Sequence, residues 1–338
     1  MEIVKIAFFD TKPYDVDYFD PLLKNPAFPL KLKYLNVRLG PDTAALASGY
    51  DGICIFVNDR IDAATADMLY RQGIKIVALR SAGYNNVDLD ALRGKIAVVR
   101  VPAYSPHAIA EYAVSLLLTL NRKIHKAYSR VREGNFSLAG LEGFDLYRKI
   151  AGVIGTGQIG KITAEILRGF GMEVLASDPY PAEEWAGSHG VLYVDREELI
   201  RRADIISLHC PLTPENRRFI NKASLSSMKP GAVIINTGRG GLIDTKDLIG
   251  ALKDKHLGGA ALDVYEEEDK YFFEDHSGQV IQDDVLARLM TFPNVLITSH
   301  QAFLTREALS AIAETTLENL RLFFEKNELP NEIKSGPA

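Results

Sequence analysis

The chain has 338 residues, 47% of them hydrophobic and 25% charged, and a formal net charge of −5. At roughly 150 residues per domain, that length implies two compact domains, each large enough to bury a core, and the composition excludes a disordered or low-complexity chain. The slightly negative charge leaves no basic footprint for a nucleic acid, and two cysteines, Cys54 and Cys210, both in apolar strand-like runs, exclude a disulfide framework or a metal-ligand cluster and point to a reducing cytoplasm.

The first ten residues contain no basic segment followed by a long apolar core, so no export signal is expected. Ile3–Phe9, Lys31–Val37 and Gly52–Val57 are short β-branched and aromatic runs that read as strands. Asp62–Gln72 reads as a helix, with Asp62 as its N-cap and Gly73 as its stop. Ile74–Leu79 and Ile96–Val101 continue the alternation, so residues 1–103 form one doubly wound α/β unit with a mostly parallel sheet. Pro102-Ala103-Tyr104-Ser105-Pro106 breaks the pattern before a helix over His107–Lys123, which crosses into the second domain. Its most apolar part, Ala108–Leu120, contains Glu111 and is too short to span a bilayer. The loop Gly134–Gly143 follows.

Ile150–Gly160 then runs as a strand straight into a helix, and Gly155, Gly157 and Gly160 fit G-x-G-x-x-G. Such glycines allow a tight turn, a close approach of pyrophosphate to the backbone, and close packing of the helix on its strand. The phosphates sit on the unpaired N–H groups that open the helix. A second apolar stretch, Met172–Ala176, ends near Asp178, which stands 178 − 160 = 18 residues past the last glycine. A carboxylate at that distance binds the ribose hydroxyls and repels a 2′-phosphate, so the pattern points to NAD rather than NADP.

The alternation resumes with helix Arg196–Arg202, strand Ile205–His209, turn Pro211–Asn216, helix Lys222–Met228, strand Ala232–Asn236, helix Asp247–Lys253 and strand Gly259–Val264. This is a second and larger doubly wound sheet. The loop Tyr265–Asp284 carries Glu266, Glu267, Glu268 and Asp269, which composition alone reads as solvated surface, although loops of this length are often functional. The chain ends in a helix over Thr305–Lys326, with Leu309, Ile312, Ala313, Thr316, Leu320 and Phe323 at helical spacing.

Taken together, Gly155–Gly160, His209–Asn216, Asn236-Thr237-Gly238-Arg239-Gly240 and Asp263–Glu268 closely resemble the NAD-dependent D-2-hydroxyacid dehydrogenases over nearly the full length. Ser81–Asp88, Pro102–Pro106 and the segments Phe272–Asp275 and Ile281–Asp284 look like the D-lactate dehydrogenase branch of that family. The resemblance implies a Rossmann NAD-binding domain over 104–301 and a flavodoxin-like substrate domain built from 1–103 and 302–338, with the active site in the cleft. It also implies a dimer or tetramer.

Roles follow from the resemblance position by position. Arg239 matches the arginine that pairs with the substrate carboxylate and polarises the carbonyl, a task for a planar, permanently charged fork. His300 matches the acid that protonates the carbonyl oxygen, and Glu268 the carboxylate that holds it protonated. The spacing 268 − 263 = 5 from Asp263 selects Glu268; the residues alone do not choose among Glu266, Glu267 and Glu268. Gln158 and Ile159 match positions over the pyrophosphate, while Cys210, Pro211, Asn216, Thr237, Gly238 and Asp263 match those lining the rest of the cofactor. The backbone N–H groups of Ala82 and Gly83 match those that meet the carboxylate, Tyr104 adds a hydroxyl, and Phe303 closes a pocket suited to a small side chain. Gly238 departs from the Ser or Ala of many relatives, which loosens that turn.

The leading reading is therefore reduction of pyruvate by NADH. A larger 2-oxo acid, such as 2-oxoisocaproate or phenylpyruvate, is the nearer alternative. A non-enzymatic NAD-sensing corepressor is the more distant one, and neither a basic face nor a disordered partner-binding tail favours it.

Overall fold

The computed structural model describes residues 3–334. The chain divides into two compact units, Met1–Ser105 with Leu304–Ala338, and Pro106–Phe303.

In the first unit, β1 (Val4–Phe8), α1 (Pro13–Leu23), β2 (Leu30–Tyr34), β3 (Gly52–Ile55), α2 (Ala63–Arg71), β4 (Ile76–Leu79), α3 (Leu89–Leu92) and β5 (Ala97–Val99) follow in chain order. The strands pair in the order β2-β1-β3-β4-β5, all parallel. Parallel sheets are covered on both faces, so their strands read as unbroken apolar runs; β3 (GICI) and β4 (IVAL) are buried at every residue. The Asp62 carboxylate accepts from Thr65 N–H and caps α2, and Gly73 takes φ +83° just beyond it, as the sequence predicts.

The second unit begins with α4 (Pro106–Arg122) and α5 (Ile124–Arg132). It then alternates β6 (Ile150–Ile154), α6 (Gln158–Gly169), β7 (Glu173–Ser177), α7 (Glu183–His189), β8 (Val191–Tyr193), α8 (Arg196–Arg202), β9 (Ile205–Leu208), α9 (Lys222–Ser227), β10 (Val233–Asn236), α10 (Thr245–Lys253), β11 (Gly259–Leu262), α11 (Asp284–Met290) and β12 (Val295–Ile297). Its seven strands run parallel in the order β12-β11-β10-β9-β6-β7-β8. The chain winds outward from β6 in both directions, so β6 and β9 flank the switch point where ligands of such sheets bind. Alternate residues of each strand feed two cores. Ile154, Ile206, Ile234 and Ala260 face one, and Val153, Ile205, Val233 and Ala261 the other, under Leu117 of α4 and Leu167 of α6.

Several short elements escape the sequence reading. α5 has no buried residue and follows α4 through Lys123 in the left-handed region, φ +52°. α7, β8 and β12 span one or two turns or three residues, too short to establish a period. α11 begins inside what reads as an acidic loop, where Asp283 caps it by accepting from Val285 and Leu286 N–H.

The last helix, α12 (Arg306–Lys326), belongs to the first unit. Its Ala313, Leu317 and Leu320 are fully buried against Ile6 and Phe8 of β1, Phe19 of α1 and Ile76 of β4. One face of the first sheet is thus covered by residues some 300 positions from it in the chain. Leu317→Ala or Leu320→Ala should cost about 2–5 kcal/mol by leaving a cavity at that contact; urea unfolding measures it, and an unchanged midpoint would show that α12 is dispensable to the first core.

Candidate active site

Every motif residue of the second unit lies at a carboxyl end of its sheet. After β6, Gly155 takes φ +93°, and a Cβ there would stand 2.5 Å from Cys210 N, so only glycine lets β6 and β9 end side by side. A Cβ on Gly160 would stand 1.9 Å from Gly155 O, which fixes α6 tightly on its strand. Gly157 is different: nothing lies within 4 Å of its Cβ position. It opens α6 without a side-chain cap, and the first amide of the turn to find an acceptor is Lys161 N–H, on Gly157 O. The N–H groups of Gln158, Ile159 and Gly160 thus have no acceptor among the described residues, as a cradle for an anion requires. After β7, Asp178 accepts from Thr156 N–H at 2.6 Å and from Tyr180 N–H at 2.8 Å. Thr237, after β10, has a buried hydroxyl without a partner among the described residues. These residues fit a dinucleotide.

One other residue of this rim holds the backbone in shape. Asn216 accepts from Thr213 N–H and donates to Pro211 O, closing the turn after β9. Cys210, after β9, is half-buried, and burial pushes its thiol up to about 11, so it is not an activated nucleophile.

The turn after β10 is pinned rather than loose. Gly238 N–H donates to Asn236 Oδ1, Asn236 Nδ2 to Arg239 O, and Arg239 Nη1 to Gly238 O at 2.7 Å. Gly238 therefore does not loosen the turn as expected, because Asn236 braces it from both sides. Gly240 permits the next contact: its Cβ would stand 2.1 Å from Tyr265 C and O. The Arg239 turn thus packs directly on the backbone that carries Glu268.

Glu268 opens a short 3₁₀ turn over Glu268–Lys270. Its Oε2 accepts from Tyr265 N–H at 2.9 Å, and its Oε1 lies 2.8 Å from His300 Nδ1. With both oxygens engaged the carboxylate is fixed, and Nδ1 must carry the proton it shares, which leaves Nε2 to exchange protons outward. Both side chains are mostly buried, at 18% and 16% exposure for His300 and Glu268. The Phe273 ring lies 5.9 Å from the imidazole. Glu266 is no solvated acid either, since it is 8% exposed and holds Arg218 at 2.5 Å. The choice that composition leaves open among three glutamates is made by the backbone, which aims Glu266 and Glu268 to different partners.

His300 itself sits at φ +54°, a left-handed conformation uncommon for a residue with a side chain. Asp263, fully buried at the end of β11, imposes it. Its carboxylate accepts from Thr298 Oγ1 at 2.6 Å, Gln301 N–H at 2.9 Å and Ala302 N–H at 2.8 Å, while its carbonyl accepts from His300 N–H at 2.7 Å. This bracing role is absent from the sequence reading, where Asp263 appears only as a cofactor-lining residue. Phe303 is buried one residue past that turn. Ala82, Gly83 and Tyr104 belong to the first unit, the first two on the loop that follows β4.

A glycine cradle with an acid at the next strand end, beside a histidine held by a carboxylate, defines a dinucleotide-dependent dehydrogenase. Comparison with known proteins gives the same class. The model of the D-isomer specific 2-hydroxyacid dehydrogenase, NAD binding domain, matches residues 114–302. D-lactate dehydrogenase of Escherichia coli (strain K12) is 50% identical over 331 residues, covering 98% of this chain and 100% of that protein. Among solved structures, the apo-structure of D-lactate dehydrogenase from Escherichia coli is similar with a TM-score of 0.88 at 47% identity, covering 98% of this chain and 100% of that one. The pyruvate reductase of Chlamydomonas reinhardtii is similar with a TM-score of 0.90 at 42% identity, covering 97% and 98%. The chain belongs to the D-isomer specific 2-hydroxyacid dehydrogenase family, and its second unit carries the NAD-binding domain.

One titrating group of the rim affects stability. His209 Nε2 lies 2.8 Å from Ser207 Oγ, and burial pushes the imidazole down to about 4. The unfolded chain binds this proton near the ordinary value of about 6.5, so below it the unfolded state holds more protons than the folded one. The stabilisation is complete above about 6.5 and is lost as pH falls toward about 4. His209→Gln should flatten the decline of Tm on acidification, as read by calorimetry; a decline as steep as in the unmutated protein would assign the acid sensitivity to other groups.

Proposed function

We propose that the chain is a D-lactate dehydrogenase that reduces pyruvate to D-lactate reversibly. The observation that carries this reading is the His300 Nδ1 to Glu268 Oε1 contact at 2.8 Å, in a chain that is 50% identical to a D-lactate dehydrogenase over almost its whole length. When bound, NADH supplies the hydride. The Arg239 guanidinium pairs with the substrate carboxylate and draws electron density from the carbonyl. The amides of Ala82 and Gly83 share that carboxylate, and the Tyr104 hydroxyl adds a contact. His300 Nε2 gives its proton to the carbonyl oxygen during reduction and takes it back during oxidation. Glu268 keeps the ring aimed and balances its charge. Asp178 would receive the ribose hydroxyls, the Gln158 and Ile159 amides the pyrophosphate, and Cys210, Pro211, Asn216, Thr237 and Gly238 would line the remainder, Asn216 by contact because its side-chain amide already closes a turn. Asp263, expected among the lining residues, has no exposed surface and acts through the His300 turn instead. Phe303 limits the pocket to a side chain as small as methyl.

NADH oxidation with pyruvate, 2-oxoisocaproate and phenylpyruvate tests the substrate. Pyruvate should give the highest kcat/KM, because each methylene the pocket rejects costs about 1–3 kcal/mol; a preference for phenylpyruvate would sink the assignment. His300→Gln should lower kcat for reduction by on the order of 10²–10⁴, the usual contribution of a positioned acid. Glu268→Gln should lower it less, and both should leave the KM for NADH near its original value. Full activity in His300→Gln would assign the proton to another group.

We further infer a cytoplasmic homo-oligomer. No helix among the described residues is long and apolar enough to cross a membrane. α5 presents Ile124, Tyr128 and Val131 on one face at 56%, 63% and 51% exposure, and the following stretch presents Phe136 and Leu138 at 74% and 82%. Exposed apolar residues gathered on α5 and the stretch after it suit a second copy of the chain. Val131→Asp with Leu138→Asp should convert the assembly toward monomer in light scattering; an unaltered mass would place the interface elsewhere.

A further inference from the structure

Three successive carbonyls of the loop after β4 are each held from one side. Val101 N–H donates to Ser81 O at 3.2 Å, Arg100 Nη1 to Ala82 O at 2.8 Å, and Ser81 Oγ to Gly83 O at 2.9 Å. A trans peptide directs its N–H opposite to its C=O, so each of these bonds also aims the amide of the following residue. The N–H groups of Ala82, Gly83 and Tyr84 accordingly face the other way, where no acceptor among the described residues meets them. The two directions have different origins. The main chain of Val101 aims the Ala82 amide, whereas the Gly83 amide is aimed by one side chain, that of Arg100. Glycine gives little steric resistance to rotation of the peptide that precedes it, so without that bond the Ala82–Gly83 peptide is free to turn over.

Arg100 is built to hold still. Its N–H donates to Asn331 O at 3.1 Å and its carbonyl accepts from Asn319 Nδ2 at 2.9 Å. Asn319, on α12, is fully buried, and its Oδ1 accepts from Asn331 Nδ2 at 2.8 Å. The guanidinium lies 5.2 Å from the centre of the Tyr84 ring, two residues beyond its hydrogen-bond acceptor.

We propose that Arg100 is the positioning residue of the substrate-carboxylate site, fixing the Gly83 amide in its binding direction. The proposal rests on the reading that the Ala82 and Gly83 amides receive the substrate carboxylate. Its test is steady-state kinetics and thermal melting of Arg100→Met, which removes donor and charge, and Arg100→Gln, which keeps a donor without the charge, with Arg239→Gln measured beside them. Arg100→Met should raise the KM for pyruvate about tenfold or more, the effect of losing one charge-assisted hydrogen bond, with the KM for NADH and Tm nearly unchanged. Arg100→Gln should recover most of that loss. Arg100→Met kinetics equal to those of the unmutated enzyme would overturn the proposal, as would an Arg100→Gln variant as impaired as Arg100→Met, which would mean that charge alone acts. A matching fall in Tm would overturn it too, by making the effect one of folding. If Arg239→Gln leaves pyruvate kinetics unmoved, or the unmutated protein reduces no 2-oxo acid, the carboxylate reading itself fails. An impaired Arg239→Gln beside a silent Arg100→Met removes only the role of Arg100.

Discussion

The Asp263 carboxylate sets the turn that carries His300. It is fully buried, and desolvation raises its pKa against the pull of the Thr298 hydroxyl and the Gln301 and Ala302 amides. Three donors on one buried carboxylate keep its burial tolerable, since each replaces a bond to water. In return they force residues 298–302 into a single turn. Only inside that turn does a histidine hold φ +54°, and strain of this kind persists where surroundings over-determine the backbone. The ring then meets Glu268, whose own backbone follows β11 by a few residues. A short run of chain after one strand thus positions both His300 and Glu268.

Much of this was legible because parallel sheets write themselves plainly. Strands buried on both faces appear as apolar runs, and the glycines of the cradle appear as glycines because a Cβ at Gly155 or Gly160 would meet backbone at 2.5 or 1.9 Å. The position of Asp178 after β7 was legible from spacing, since a helix of fixed length and a strand of fixed length separate it from the last glycine. The pairing of Glu268 with His300 was legible only through the resemblance. Three adjacent glutamates have the same chemistry, and their directions depend on a 3₁₀ turn and on Gly240, whose missing side chain admits the Tyr265 backbone.

What was illegible has a common cause. Asp263 bracing the His300 turn, Asn236 bracing the Arg239 turn and Arg100 bracing the Ala82–Gly83 peptide are all side chains bonded to backbone. Such bonds leave no period, because their spacing depends on tertiary approach and not on helix or strand geometry. Arg100 and Ala82 lie 18 residues apart in sequence, and Asp263 and Ala302 lie 39 apart. Short elements fail for a related reason: β12 is a three-residue edge strand whose pairing with β11 is decided by register with Ala260–Leu262, not by its own residues.

The rim after β6 and β7 combines backbone amides with a single carboxylate, that of Asp178. Asp178 bonds to Thr156 and Tyr180 N–H through one oxygen each, and a carboxylate oxygen accepts more than one bond. The acid is therefore aimed by the glycine turn and still has acceptor capacity for a diol. A phosphate brought to the same place would face that fixed negative charge and find no cation already directed at it by these contacts. The opening of α6, in contrast, carries unpaired amides at Gln158, Ile159 and Gly160, whose partial charges come from the helix itself and suit an anion. The amides that open α6 and the Asp178 carboxylate place opposite potentials side by side, joined by the bond from Thr156 N–H to Asp178.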